Sequence, residues 1–257
     1  MYATERQQLI ARLVSEDGRV AVVDLSTRLG VTTETVRRDL AQLEEAGALR
    51  RVHGGAVAAT RRSTAESSVA DRTGQHSGAK RAIARRIVAT LPSGGSVYLD
   101  AGTTAAAVAA VLAEREHGEH LEVVTHSMTI AHLLAGVPGV GLSAIGGRVR
   151  GLTAAAVGSA TVAAIAQLHP DIAVLGTNGV SAGFGFSTPD PDEADVKRAI
   201  VAAARHVIMA ADASKFNLDL LVSFAALTDA DVLATELAPP RELQSALDDA
   251  DVEVLLP

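Results

Sequence analysis

The sequence predicts an α/β protein in two parts: a small N-terminal module of helices closed by a hairpin, then a larger, mostly parallel, doubly wound sheet. Three observations carry this. Apolar residues in the first fifty positions recur at helical spacing. From Ser96 onward, short apolar runs alternate with Ala-rich stretches, the pattern of strand followed by helix. The apolar 48% of the chain is built from Ala, Val and Leu, with 2% aromatics, a composition suited to buried parallel strands under small-residue helices.

The elements follow in order. Thr4-Glu5-Arg6-Gln7 reads as a capping box, and Leu9, Ile10, Leu13 and Val14 then share one helical face until Asp17-Gly18 stops the helix. Val20 begins a short strand. A second helix spans about Val23–Leu29, with Leu25 and Leu29 inward and Gly30 as its left-handed cap. The third helix starts after Thr32 and ends before Gly47. Val36, Leu40 and Leu43 face its core, while Thr35, Arg38 and Gln42 point outward, flanked by Arg37. Gly47-Ala48-Leu49 turns into Arg50 to Ala56, a hairpin with glycines at its tip. Helix, helix, turn, polar-faced helix and basic hairpin form a winged helix-turn-helix, a geometry that reads double-stranded DNA. A second reading of the same pattern is a small helical subdomain with a solvated arginine face.

Residues 1–57 therefore make a DNA-binding module, 58–78 a linker without clear apolar period, and 79–257 the α/β domain. Charge agrees with this division. Residues 1–62 hold ten Arg against eight Asp and Glu, whereas the chain as a whole carries a net charge of -7. The lysines are only Lys80, Lys197 and Lys215 in an arginine-rich chain, so their positions are informative. The chain has no cysteine, which excludes disulfides and thiolate chemistry. It shows no signal-like start, no membrane-length apolar run, no dinucleotide or Walker loop and no metal-ligand spacing. The expectation is a cytoplasmic protein without cofactor or metal.

In the α/β domain, Lys80–Leu91 forms an amphipathic helix with Ile83, Ile87, Val88 and Leu91 inward, ended by Pro92-Ser93-Gly94-Gly95. The strands are Val97–Leu99, Leu121–Val124, Val140–Ile145, Ile172–Leu175, Val207–Ala210, Val232–Ala234 and Val252–Leu255. Polar and glycine residues gather where these strands end: Asp100, Gly102, Thr103 and Thr104; Thr125, His126 and Ser127; Gly146, Gly147 and Arg148; Asn178 and Gly179; Asp212 and Lys215. Ligands of such sheets bind beyond the carboxyl ends of the strands. Helix N-terminal N–H groups, hydroxyls and glycines suit a phosphate, with Lys215 adding charge; Asp100, Asn178 or Asp212 can accept from sugar hydroxyls. Each piece alone also has a structural reading, Ser and Thr as ordinary N-caps and Gly146-Gly147 as a turn.

Val31-Thr32-Thr33-Glu34-Thr35-Val36-Arg37-Arg38-Asp39-Leu40 followed by Arg51-Val52-His53-Gly54-Gly55-Ala56 resembles the signature of the DeoR family of bacterial regulators. Leu99 to Thr104, Thr125-His126-Ser127, Gly146-Gly147, Glu193-Ala194 with Lys197-Arg198, and Asp212 to Phe216 resemble that family's sensor-domain motifs. The family usually carries Asn at the position of His126. The resemblance implies that Thr33, Thr35, Arg37 and Arg38 lie on a recognition helix and Arg51 and His53 in the wing. It implies a sensor domain related to ribose-phosphate isomerases and glucosamine-phosphate deaminases, a bound phosphosugar contacting Glu193 and Lys197 among others, and a homo-oligomer, dimer or tetramer. Gly176-Thr177-Asn178-Gly179 and Phe186 to Asp190 are similar to actinobacterial members tied to fructose phosphotransferase operons. That implies a repressor released by fructose 1-phosphate, with fructose 1,6-bisphosphate next.

Two alternatives stand beside the regulator. An isomerase or deaminase would use Asp100, Glu193, Asp212, Lys197 and Lys215 as acid–base groups. A dimeric scaffold would carry a vestigial sugar pocket. For Glu193 and Lys197, the plain structural reading is an i,i+4 pair on a helix.

Overall fold

The computed structural model describes residues 3–17, 19–45, 48–58, 63–64, 66–115 and 120–257. They fall into two units, Met1–Arg62 and Ser63–Pro257. The expected stop at Gly18, the turn at Gly47, the side chain of Thr4 and linker residues 59–62 lie outside the described residues.

The first unit runs α1 (Ala3–Asp17), β1 (Arg19–Ala21), α2 (Val22–Leu29), α3 (Thr33–Glu45), β2 (Leu49–Val52) and β3 (Gly55–Ala58). Its core gathers Ile10, Leu13, Val14, Leu25, Val36 and Leu40, the residues whose spacing marks helical faces. Gly30 ends α2 in the left-handed region, its N–H bonding Ser26 O. Thr32 Oγ1 accepts from Thr35 N at 3.2 Å and caps α3. Asp39 is an exception to the polar face of α3: it is buried and receives Arg6 and Gln7 from α1. The wing is an antiparallel sheet in the order β1-β3-β2. Gly55 is obligatory there, because a Cβ would stand 2.0 Å from Val20 O of the neighbouring strand.

The second unit contains α4 (Val69–Thr73), α5 (Ser77–Thr90), β4 (Gly95–Leu99), α6 (Thr103–Glu114), β5 (Leu121–Thr125), α7 (Met128–Leu134), β6 (Val140–Ala144), β7 (Arg148–Arg150) and β8 (Ala155–Val157). It continues through α8 (Ser159–Ile165), β9 (Ile172–Gly176), β10 (Gly179–Ser181), β11 (Gly185–Thr188), α9 (Pro191–Ala203) and β12 (Val207–Ala210). It ends with β13 (Val222–Ala225), β14 (Val232–Ala234), α10 (Arg241–Asp249) and β15 (Glu253–Leu255).

The main sheet has the order β15-β14-β12-β9-β4-β5-β6, parallel throughout. The period-two alternation of its strands builds two cores. Val97, Leu99, Val174, Ile208 and Ala210 face α5, α6 and α7. Tyr98, Ala173, Leu175, Val207 and Met209 face α8, α9 and α10. The strand order reverses between β4 and β9: β5 and β6 follow on one side, β12, β14 and β15 on the other. That reversal makes the carboxyl ends of β4 and β9 the place where an open α/β sheet presents a crevice.

Two antiparallel additions stand outside the sequence reading, the β7-β8 hairpin and the β10-β11-β13 sheet. The linker reading also changes. Residues 63–64 and 66–78 belong to the second unit, with Ser68 capping α4 through Asp71 N and Val69 N donating to Leu152 O. Ionic and backbone contacts hold this segment, where the sequence offers no apolar period.

Candidate functional site

On the first unit, Arg37, Arg38 and Gln42 are exposed on α3, and Arg50, Arg51 and His53 are exposed on the wing. Thr33 and Thr35 are half-buried, and Thr35 shares a hydroxyl contact of 2.9 Å with Thr32, so Thr35 also serves the helix start. Arg37 pairs with Glu34 at 3.6 Å, and Glu44 Oε1 accepts from Arg51 N at 2.8 Å. Gln42 accepts from Gln7 of α1. The result is one arginine-bearing helix face followed by a basic hairpin.

On the second unit, a cleft opens at the strand-order reversal. Its lining includes Asp100, Gly102, Thr103, Thr104, His126, Asn178, Glu193, Lys197 and Lys215 from the sequence-derived set. Lys80 lines it too, so all three lysines of the chain converge on this one cleft. The first turn of α6 faces the cleft with no acidic residue and no side-chain cap, and Gly102 precedes it at φ 102°, a backbone that favours glycine.

Asp100 is the hub. Its Oδ2 accepts from Gly176 N at 3.0 Å and from the Lys197 ammonium, which also donates to Gly176 O at 2.9 Å. Lys197 lies 5.3 Å from the centre of the Phe224 ring. His126 Nε2 stands 3.7 Å from Asp100 Oδ1, and its Nδ1 shares a 3.0 Å hydrogen bond with Tyr98 OH. Burial lowers the His126 imidazole to about 4, against the pull of Asp100, so the ring is neutral. Burial likewise raises the Tyr98 phenol, which keeps its proton.

Lys197 therefore does not make the simple i,i+4 pair with Glu193; it reaches across the sheet edge to Asp100. Glu193 pairs instead with Arg150 at 3.1 Å. Arg150, which the sequence reading did not single out, also holds Asp190 at 3.1 Å and Glu66 at 2.6 Å. Burial pulls the Arg150 guanidinium down, but these carboxylates outweigh it and hold it above its ordinary value. Burial pushes the Glu193 carboxyl up, with Lys197 opposing.

Five sequence-derived candidates are not among the cleft lining. Thr125 Oγ1 accepts from Ser127 N, and Ser127 Oγ caps α7 through Ile130 N. A Cβ on Gly147 would meet Thr161 Oγ1 at 2.1 Å, and one on Gly179 would meet Leu218 O at 2.2 Å, so both glycines serve close packing. Asp212 caps the short turn at Ser214. Burial opposes its charge, but Lys215 and Ser214 hold its carboxyl below the usual range.

The cleft also takes Arg72, Gln75, His76, Thr153 and Thr177. The first three come from the segment read as linker. Their only sequence signal was the nearby isolated Lys80, whose ammonium burial lowers and whose N–H groups bond Arg72 O at 2.8 Å and Gln75 O at 2.6 Å. Among the described residues no cluster of His, Asp or Glu has metal-ligand geometry, and no helix is long and apolar enough to cross a membrane.

Two family models match the chain: a DeoR-like helix-turn-helix domain over residues 6–62 and a DeoR C terminal sensor domain over residues 75–237. The glycerol-3-phosphate regulon repressor of Escherichia coli is 30% identical over 256 residues, covering all of both chains. The uncharacterized HTH-type transcriptional regulator FruR of Bacillus subtilis is 34% identical over 92% of each. Among solved structures, ribose 5-phosphate isomerase A of Methanocaldococcus jannaschii is 16% identical over 55% of each chain, with a TM-score of 0.42. The matched relatives are regulators, which sets aside the isomerase or deaminase reading. Both units are matched in order, and the chain belongs to the DeoR family of DNA-binding transcriptional regulators.

Proposed function

We propose that this protein is a repressor of a sugar-utilisation operon, released from its operator when a phosphorylated sugar enters the cleft, with fructose 1-phosphate as the leading effector. The observation that carries the reading is the convergence of all three lysines with the uncapped, acid-free first turn of α6 at the strand-order reversal. A dianionic phosphate answers both. Thr103 and Thr104 supply hydroxyls and backbone donors; Asn178 and Asp100 accept from sugar hydroxyls. The Bacillus subtilis relative is an uncharacterized regulator, while the name of the Escherichia coli relative points to glycerol 3-phosphate, so the sugar is the part to measure.

On the DNA side, Thr33, Thr35, Arg37, Arg38 and Gln42 enter the major groove and Arg51 and His53 hold the backbone. The protein acts as a homo-oligomer on repeated sites. Release requires that the effector favour the DNA-incompetent state; tight binding alone shifts nothing.

The test is fluorescence anisotropy of the full chain on DNA from upstream of its own gene. At fixed salt it is titrated with fructose 1-phosphate, fructose 1,6-bisphosphate, glucose 6-phosphate and glycerol 3-phosphate. Specific binding reversed by one of them is expected. Specific binding unaffected by all four removes the phosphosugar reading, and silence in calorimetry as well leaves the sensor unit as a scaffold.

A further inference from the structure

Residues 63–64 and 66–74 lie between the two family matches, yet they are built into the second unit. Leu221 N donates to Ser63 O at 3.0 Å, and Val69 N donates to Leu152 O at 2.9 Å. The Glu66 carboxylate, 5% exposed, is held by Arg150. Lys80 ties down the carbonyls of Arg72 and Gln75. The segment then turns through His76, a non-glycine residue at φ 52°, before α5 begins. A left-handed backbone at a non-glycine position persists where its surroundings over-determine it.

Arg72, Gln75 and His76 line the cleft from this segment. Arg72 Nε is buried and has no hydrogen-bond partner among the described residues. Across the same cleft, Asp100 Oδ1, on a side chain 1% exposed, is likewise without one. A buried donor and a buried acceptor left open on two residues that line one cleft match a ligand that carries both an anion and a hydroxyl.

Resting on the phosphosugar reading above, we propose that Arg72 grips the effector's phosphate through this open Nε–H, and that residues 66–76 are thereby an effector-responsive wall of the cleft. The anion completes the guanidinium's hydrogen bonding, and a sugar hydroxyl donates to Asp100 Oδ1. Arg150, through Glu66 on one side and Glu193 and Asp190 on the other, anchors the wall to α9 and is a positioning residue.

The test is calorimetry on the full chain with fructose 1-phosphate, fructose 1,6-bisphosphate, glucose 6-phosphate and glycerol 3-phosphate, wild type against Arg72→Gln and Arg72→Lys. At least one compound binds the wild type. Arg72→Gln weakens that compound about 10- to 100-fold, the scale of a lost charge-assisted hydrogen bond. Arg72→Lys weakens it less, and melting temperatures stay together. Saturating wild type with the same compound slows amide hydrogen exchange across residues 66–76. If the compound binds wild type and Arg72→Gln within threefold, or leaves exchange in the segment unchanged, the proposal falls while the phosphosugar reading stands. If none of the four binds the wild type, the phosphosugar reading itself falls and takes the proposal with it.

Discussion

Lys197 and Asp100 form an ion pair across the carboxyl ends of β4 and β9, with side chains 7% and 1% exposed. The pair joins α9 to the point where the sheet reverses, and it draws in Gly176 through both its N–H and its carbonyl. Removing one partner strands the other in a medium that solvates charge poorly. Lys197→Met is expected to cost about 3–5 kcal/mol of stability. Denaturant unfolding followed by circular dichroism measures this, since the chain has no Trp. The double variant Asp100→Asn/Lys197→Met should lose less than the two single losses combined, because the charges are removed together. A loss under about 1 kcal/mol for Lys197→Met would show that the pair does not stabilise the fold.

His126 gives the stability curve a defined acid limb. Its folded value is lowered from 6.5 to about 4, by burial first and by Lys197 in part, against the pull of Asp100. The unfolded chain therefore binds a proton that the folded chain refuses between these two values. The stability this group contributes is present above about 6.5 and is lost as pH falls toward about 4. The full difference amounts to about 3 kcal/mol. In His126→Asn this limb should flatten, with the melting temperatures of wild type and variant converging as pH falls from 7.5 toward 5. Parallel pH profiles for the two proteins would rule out His126 as the cause.

The two units should fail separately. Gly55→Ala puts a Cβ against Val20 O, where β1 and β3 are hydrogen-bonded backbone to backbone and neither can retreat. The first unit is expected to lose about 1–3 kcal/mol, the usual cost of overpacking. Operator affinity falls with it. Calorimetry of the same variant with the sugar-phosphate panel should match wild type, because the cleft lies wholly within the second unit. Loss of effector binding in Gly55→Ala would contradict that independence.

What was legible in the sequence follows from which forces act locally. The strands of the main sheet are runs such as Val207–Ala210, buried on both faces, so each announces itself without its neighbours. Gly30 and Thr32 are local caps and were readable for the same reason. By contrast, β7 is Arg148-Val149-Arg150, exposed at its first two residues and too short for any period, and the role of Arg150 comes from Glu66 and Glu193, far away in sequence. Thr125 and Ser127 are of the right type at the right strand ends, but their hydroxyls are spent on neighbouring backbone N–H groups, and Asp212 turns its Oδ1 to Ser214 N. Composition cannot distinguish a hydroxyl that caps a helix from one that meets a ligand. The wall at residues 66–76 escaped because it is held by ions and carbonyls, which leave no apolar pattern.

The recognition face can be divided by how its arginines discriminate. Arg38 is exposed on α3 one turn before Gln42, whereas Arg37 is held toward Glu34 at 3.6 Å. Arg38 is thus the better placed to reach base edges, and a bidentate contact to guanine is worth about 1–3 kcal/mol of discrimination. Arg38→Ala should lower operator affinity by that amount and flatten the response to single base-pair changes at one position of the site. Arg51→Ala, on the wing, should weaken operator and unrelated DNA alike and reduce the salt dependence by about one phosphate contact. Anisotropy titrations on a set of singly substituted operators at two salt concentrations separate the two behaviours. Arg38→Ala with unchanged operator affinity would reject it as a reader. Arg38→Ala that weakens all sequences equally would move it to the phosphate-gripping class and leave Gln42 as the base-reading residue to test next.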